Sequence, residues 1–139
     1  MTIKEARNRP TLGVSTLVRR DGAVLLVKRG RAPLQGLWAL PGGHVEGGER
    51  LADAAEREVR EETSVVIARL RQIDMAEIIV PGVDGGIASH FVLVVFSADY
   101  QSGEPRPGDD AAEARFVTAG EMAALPMTDE ARRIVAAHA

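Results

Sequence analysis

Residues 43–65 constrain the fold and the chemistry of this chain more than any other segment. They contain a glycine-rich turn and then a predicted helix, about Arg50–Thr63, in which glutamates are concentrated. Glu58, Glu61 and Glu62 are spaced i, i+3 and i+4, so a helix places all three on one face. Like charges at this spacing destabilise an isolated helix by roughly 0.2–0.5 kcal/mol per pair. Because carboxylate oxygens suit Mg²⁺ or Mn²⁺, the pattern indicates a divalent cation between them.

The rest of the sequence predicts strands on both sides of this helix. Asp21-Gly22, between two β-prone runs, is a strong signal for a tight hairpin. The predicted strands are Thr11–Val18, Ala23–Val27, one or two strands over Val65–Val80, a long buried strand over Ile87–Ala98, and Ala114–Val117, with a closing helix over Thr128–Ala137. The central helix carries an apolar stripe for packing on the sheet, namely Leu51, Ala52, Ala55 and Val59. Since strands and helices do not alternate regularly, the pattern predicts an α/β/α arrangement with a mixed central sheet.

Read in order, the motif is Gly43, five residues, Glu49, seven residues, Arg57-Glu58-Val59, one residue, Glu61-Glu62, one residue, Ser64 and Val65. It resembles the signature of the Nudix hydrolases, which cleave a nucleoside diphosphate linked to another group. The lead-in, residues 37–43, is also similar to the family's approach to the motif. Ser64 is the one departure, because the family has glycine there, at a helix end that commonly needs a left-handed residue. The resemblance implies that residues 1–139 form a single domain, an α/β/α sandwich of the Nudix type.

The resemblance also implies roles for the residues of the motif. Glu58 and Glu62 are expected to bind Mg²⁺, with Mn²⁺ as an alternative ion. Glu61 is expected to be either a further ligand or the catalytic residue that polarises the attacking water. A backbone carbonyl of Gly42 or Gly43 is expected to complete a coordination shell.

Glu49 and Arg57 are expected to form an ion pair that fixes the glycine-rich loop against the helix. Trp38 is a candidate for stacking on a substrate base, against the commoner alternative of a place in the core. Arg29, at the end of an apolar strand, is a candidate for holding a substrate phosphate with its planar guanidinium group.

One more acid is a candidate for the catalytic site. Glu113 resembles the extra acid that several Nudix enzymes bring from a later loop as a metal ligand or a base. Asp109 and Asp110 precede it in the same region and compete for that role.

The substrate is suggested by one proline. ADP-ribose pyrophosphatases of this family often carry a proline about sixteen residues past the motif, and Pro81 lies at that distance from Val65. The favoured function is therefore hydrolysis of ADP-ribose to AMP and ribose 5-phosphate, with Pro81 shaping the substrate pocket. The alternatives are a nucleoside-triphosphate pyrophosphohydrolase, such as one that removes oxidised nucleotides, and a nucleotide-sensing module without catalysis.

Composition limits the partners and the location. The net charge of −3 argues against a general nucleic-acid binder, since phosphate backbones require a basic surface. There is no cysteine, and residues 1–7 show no signal peptide. The longest aliphatic or aromatic run, residues 91–96, is too short to span a membrane. We expect a cytoplasmic enzyme with a small-molecule nucleotide substrate, without nucleic-acid or membrane partners, and with a homodimer as one alternative for its assembly.

Overall fold

The structure, a computed structural model, describes residues 9–32 and 34–138 of the chain. Residues 1–8 lie outside the described residues, as do Pro33 and Ala139, and the expectation for residues 1–7 falls on this undescribed segment. The described elements are β1 Thr11–Arg20, β2 Ala23–Arg29, β3 Trp38–Ala39, β4 Gly42–His44, α1 Leu51–Thr63, β5 Val66–Pro81, β6 Ile87–Ser102, β7 Ala111–Val117, α2 Ala119–Met122 and α3 Asp129–His138. No helix in this part of the chain is long and apolar enough to cross a membrane.

The strands form one mixed sheet with β1 near its centre. Its main path runs β3-β2-β1-β6-β5. β1 and β6 are parallel, whereas the other pairings between named strands are antiparallel. β1 and β2 meet only beside their hairpin, after which β1 pairs with β4 and β2 pairs with β7. The predicted hairpin is confirmed, since Asp21 and Gly22 have φ values of 49° and 80°, as a tight turn between twisted strands requires.

Each face of the sheet is covered by a helix. On one face, the α1 face, Val14 of β1 packs with Ala55, and Val18 packs with Val59. On the other, the α3 face, Leu17 of β1 lies in one apolar cluster with Ile134 of α3. Successive side chains of a strand point to opposite faces, so adjacent residues of β1 pack alternately against the α1 layer and the α3 layer. The predicted α/β/α sandwich with a mixed central sheet is confirmed.

The structure corrects two details of the predicted packing. In α1, Ala52 is exposed and Ala54 is buried, so the buried face consists of Ala54, Ala55, Val59 and Thr63. In β6, the fully buried stretch is limited to residues 94–98. Residues 87–90 extend past the start of β1, and within the described part of the chain they pair only with the end of β5. We call this two-stranded extension, residues 79–81 and 87–90, the β5–β6 ribbon.

Candidate active site

The glycine-rich turn lies in close contact with both α1 and β1. The backbone N–H of Gly42 donates to Glu62 Oε1 over 2.7 Å. A Cβ atom at Gly43 would lie 2.5 Å from the carboxyl carbon of Glu58, and one at Gly42 would lie 2.2 Å from the carbonyl oxygen of Val14. Both distances are shorter than real Cβ contacts. At Gly42 the clash is with backbone, so glycine is needed there, whereas at Gly43 a side chain would displace the carboxylate of Glu58. The turn therefore lies directly against two of the predicted metal ligands.

Arg57 connects the turn to the helix through several ion pairs. Its Nε and Nη2 atoms donate to the two carboxylate oxygens of Glu49 over 2.7 and 2.9 Å, a bidentate arrangement. Nη2 also donates to the carbonyl oxygen of His44 over 3.0 Å. Nη1 donates to Glu58 Oε1 over 2.8 Å and to Glu61 Oε2 over 3.1 Å. The sequence predicted the contact with Glu49 but missed those with Glu58 and Glu61, although the i, i+4 spacing to Glu61 is a visible signal.

The pair of Arg57 and Glu49 is charged at neutral pH. The hydrogen bond from Arg57, followed by one from the backbone N–H of Glu46, lowers the pKa of Glu49 from 4.5 to about 2. The same bond to Glu49 raises the pKa of Arg57 above its ordinary value. Both side chains are less than one-fifth exposed, at 18% and 17%. The glycine-rich turn is thus fixed to α1 by a pair that does not titrate near neutrality.

Two acids of α1 lie in surroundings that oppose their negative charge. Burial raises the pKa of Glu62 to about 8, in spite of the hydrogen bond from Gly42, which lowers it. Burial is also the largest cause of the raised pKa of Glu58, and the bond from Arg57 acts against it. The charge of Asp109 raises both pKa values further. Carboxylates that are partly desolvated and repel one another gain stability from a nearby cation.

The loop after β6 docks on the C-terminal end of α1. The backbone N–H groups of Arg106 and Gly108 each donate over 2.9 Å, to the carbonyl oxygens of Thr63 and Glu62 respectively. A Cβ atom at Gly108 would lie 2.1 Å from the carbonyl oxygen of Glu61. These bonds satisfy carbonyls that a helix end would otherwise leave without partners. They also bring the next residues of the loop beside the α1 carboxylates.

Ser64 ends α1 in the left-handed conformation that the motif predicts. Its φ is 65°, and its backbone N–H bonds to the carbonyl oxygen of Arg60 over 2.9 Å. Serine adopts this conformation at a cost on the order of 1 kcal/mol relative to glycine. The departure from the family pattern therefore affects the helix end and leaves the carboxylates in place.

The loop acid that faces the α1 carboxylates is Asp109, which corrects the expectation for Glu113. The negative charge of Asp109 raises the pKa of both Glu58 and Glu62. Glu113 lies in β7 opposite Lys28, and its Oε2 atom is 3.3 Å from Lys28 Nζ. Lys28 is two residues beyond Leu26, which packs in the α3-face cluster, so strand alternation directs this pair to the α3 face. The sheet therefore separates Glu113 from the acids of α1.

Other predicted site residues occupy different surroundings. The charge of Arg29, at the end of β2, lowers the pKa of Glu62, so its guanidinium lies within electrostatic range of the site. Asp110 is paired instead with the exposed Arg31, whose Nε lies 2.9 Å from Asp110 Oδ1. Pro81 is exposed at the end of the β5–β6 ribbon, opposite Ile87. That Pro81 shapes a substrate pocket stays a prediction.

Trp38 is a core residue, and its proposed stacking on a base is corrected. Only 4% of its surface is exposed, and it packs in the α3-face cluster. The guanidinium of Arg115 lies over its ring at 5.0 Å from the ring centroid. A ring that is buried and covered in this way has no free face for a nucleotide base.

The donor groups at the turn fit a hard divalent cation. They are oxygens only, as Mg²⁺ prefers, and the acids Glu58, Glu62 and Asp109 oppose one another's charge. Among the described residues, no three acidic or histidine side chains already surround a common metal position. The bonds from Arg57 to Glu58 and Glu61 account for the directions in which those two carboxylates point.

Known proteins are similar to this chain in sequence and in fold. A family model of the NUDIX domain matches residues 7–138. An ADP-ribose pyrophosphatase of Methanocaldococcus jannaschii is 33% identical over 121 residues, which is 87% of this chain and 69% of that protein. The nucleoside triphosphatase NudI of Escherichia fergusonii is 53% identical over 51 residues, 35% of this chain and 36% of that protein. The crystal structure of a MutT NUDIX hydrolase from Burkholderia pseudomallei has a TM-score of 0.82 at 29% identity, covering 94% of this chain and 99% of that one.

Proposed function

Because the chain belongs to the NUDIX domain family, we propose that it is a divalent-metal-dependent hydrolase of nucleoside diphosphates linked to another group. It is a hydrolase of the pyrophosphatase type, which cleaves a phosphoanhydride bond. The observation that carries the metal dependence is that Glu58 and Glu62 lie against the Gly42-Gly43 turn, within electrostatic range of Asp109. There, burial and mutual repulsion raise the pKa values of the two glutamates, and a cation would offset both effects.

Each residue of the site has a separate part in the proposal. Glu58 and Glu62 hold the cation, and a carbonyl oxygen of the turn adds a neutral ligand. When bound, Mg²⁺ supplies charge neutralisation on the phosphoryl oxygens and a water of lowered pKa. Arg29 binds a substrate phosphate, since it lies on the α1 side at the end of β2 and its charge lowers the pKa of Glu62.

Two acids are candidates for the general base. Glu61 is held by Arg57 over 3.1 Å and its side chain is 43% exposed, so a water has access to it. Asp109 approaches the same carboxylates from the loop after β6. We favour Glu61, because its bond to Arg57 gives it a fixed direction, and a base must be positioned before it can act.

ADP-ribose is the substrate that we propose. The similarity to the Methanocaldococcus jannaschii pyrophosphatase runs over 121 residues, so it extends well beyond the motif. The similarity to the nucleoside triphosphatase is higher, but it is limited to 51 residues. That local similarity favours a nucleoside triphosphate as the second candidate, because both reactions use the same phosphoryl chemistry.

A substrate panel tests the proposal. Purified protein is assayed with ADP-ribose, NADH, dinucleoside polyphosphates, the nucleoside triphosphates and oxidised dGTP, with Mg²⁺ and with chelator. We expect kcat/KM for ADP-ribose to exceed that for any triphosphate by at least about tenfold, with AMP and ribose 5-phosphate as products. Glu58→Gln protein, purified in the same way, controls for contaminating hydrolases.

Each possible result decides a different part of the proposal. A preference for a triphosphate would replace the substrate and keep the hydrolase. Turnover that persists undiminished in chelator would remove the metal dependence. Saturable nucleotide binding without turnover of any substrate would instead support the sensing module.

A further inference from the structure

A second group of charged side chains lies on the α3 face of the sheet. Arg19 of β1 is the register partner of Asp99 of β6, and Arg71 of β5 is the partner of Ser97. Leu17, two residues before Arg19 and therefore on the same face, is covered in the cluster that contains α3. Beyond the apolar cluster that contains α3, the surface of the sheet forms a cleft of about 260 Å³, which we call the arginine cleft. It is lined by Arg19, Arg69, Arg71, Ser97, Ala98 and Asp99.

The arginine cleft is separate from the candidate active site. The glycine-rich turn pairs with β1 at Gly13 to Ser15. Arg19 lies four residues further along, which is about 13 Å of extended strand. The cleft is also on the face opposite to α1, which carries the acids of the active site. A ligand in the cleft therefore does not occupy the position of the proposed metal.

The charges of the cleft do not balance. Three guanidinium groups face a single carboxylate, and that carboxylate is shared with Arg69, whose Nη1 lies 3.4 Å from Asp99 Oδ2. Across residues 9–32 and 34–138, no ion pair involves Arg19 or Arg71. The local excess of two positive charges stands out in a chain whose net charge is −3.

The backbone at Arg69 adds an independent observation. β5 is interrupted between Ala68 and Arg71, so that two residues have no register partner on β6. Arg69 takes a left-handed φ of 54°, which L side chains other than asparagine and aspartate rarely adopt. Glycine is the usual residue for such a bulge. The chain instead places an arginine there, and the side chain lies beside Asp99 in the cleft. Strained backbone of this kind occurs preferentially at functional positions.

We propose that the arginine cleft binds a compact dianion, either a phosphate ion or the phosphate of a monoester. The excess of two positive charges matches the charge of such a group, and guanidinium forks suit its oxygens. Ser97, which is only 8% exposed, lines the cleft, and its hydroxyl offers one further donor. Sites for whole cofactors and drug-sized ligands measure about 300–1,000 Å³, so a cleft of 260 Å³ suits a phosphate or a sugar phosphate. This proposal does not depend on the reaction at the active site.

An NMR titration of the full chain tests the proposal. Inorganic phosphate and ribose 5-phosphate are added separately to ¹⁵N-labelled protein without divalent metal. We expect saturable shifts of the amides of residues 68–71 and 97–99. Tighter binding of ribose 5-phosphate would identify a monoester as the ligand, and equal binding would identify the free ion. Arg19→Gln/Arg71→Gln should weaken binding at least about tenfold, which is about 1.4 kcal/mol.

The control variant removes the same charge elsewhere. Arg9→Gln/Arg132→Gln alters two exposed arginines outside the cleft and should bind phosphate as the wild type does. If the cleft double variant does not give a folded spectrum, the exposed Arg71→Gln alone should still weaken binding severalfold. Shifts confined to residues 29 and 42–46, or equal binding by cleft and control variants, would overturn the proposal. So would binding of a single-stranded oligonucleotide at the cleft in the absence of any phosphate binding.

Discussion

The helices α1 and α3 cover opposite faces of the same sheet, and they use charged residues differently. In α1, Arg57 is 18% exposed and bonds to the carboxylates of Glu49, Glu58 and Glu61 at once. In α3, Arg133 is 47% exposed and pairs with Glu130 in its own helix and with Asp74 of β5. The charges of α1 face a glycine turn, whereas Arg133 of α3 joins its own helix to the edge strand β5.

Arg57 of α1 holds several other side chains in fixed directions, whereas Arg133 of α3 forms ion pairs that do not position a site. Exposed ion pairs contribute little to stability, because water and salt screen them. α3 is instead held by apolar residues, of which Ala131 and Ile134 are buried. The ion pairs of Arg57 in α1 fix the direction of several carboxylates, so removing these pairs should lower kcat. Four experiments test this contrast.

The largest effect is expected at the proposed metal ligands. Glu58→Gln or Glu62→Gln keeps the shape of the side chain and removes the charge that binds Mg²⁺. Turnover should fall at least about a hundredfold at saturating Mg²⁺, with an unchanged circular dichroism spectrum. Glu56→Gln, a matched change on the same helix, should retain activity. Near wild-type rates in both ligand variants would refute the assignment.

A smaller effect is expected when only the guanidinium fork is removed. Arg57→Lys keeps a positive charge but cannot bond to the turn and to three carboxylates together. The resulting misplacement of the acids should lower kcat by about 10–100-fold. Arg133→Lys on α3 should leave kcat within about twofold, because it alters an exposed pair. Equal losses in the two variants would remove the contrast between the helices.

A modest gain in stability is expected at the end of α1. Ser64→Gly relieves the left-handed strain, so the melting temperature should rise by roughly 4 °C, corresponding to about 1 kcal/mol. Ser102→Gly, at an exposed position outside the left-handed region, should lower it slightly. Calorimetry compares the two. A decrease in melting temperature for Ser64→Gly would show that the serine has a stabilising contact of its own.

The smallest effect concerns the ion pairs between α3 and β5 and depends on pH. The bond from His138, 2.8 Å from Asp74 Oδ2, and then the backbone N–H of Met75 lower the pKa of Asp74 below 3.8. A lowered carboxyl pKa stabilises the fold above the unfolded value, and this contribution disappears as the pH falls through the folded value.

Urea unfolding of Asp74→Asn should therefore show a small loss of stability near pH 6 that shrinks as the pH falls to about 2. Glu77→Gln, an exposed change in the same strand, should give no such trend. A loss of stability in Asp74→Asn that stays constant over this range would assign it to packing rather than to charge.

Local patterns in the sequence were sufficient for the elements that depend on few residues. The Asp21-Gly22 hairpin, α1 and the left-handed Ser64 follow from turn chemistry and helix periodicity. The short helix α2 was missed, although Thr118 and Glu121 form a visible capping box. A four-residue helix has too little apolar periodicity to be recognised without that signal.

The placement of the loop acids required the tertiary structure. The register of β2 and β7 shifts between Lys28 and Arg29, so Arg29 is paired with Ala111 and Ala112 has no partner. No feature of the sequence indicates this bulge. Because Glu113 pairs with Lys28, it lies on the α3 face, away from the acids of α1. Asp109 reaches the site because the loop docks on the end of α1 by backbone bonds, which no side-chain pattern encodes.

The parallel pairing of β1 with β6 has a consequence for the order in which the molecule assembles. Thr11 pairs with Phe91, so the two central strands are 80 residues apart along the chain. Closing so long a loop is entropically costly, and contacts of this separation slow folding. During synthesis the glycine turn and α1 leave the ribosome well before β6. The glycine turn and α1 therefore lie inside the loop that this pairing closes, and the sheet that supports them is complete only after β6 and then β7 have been added.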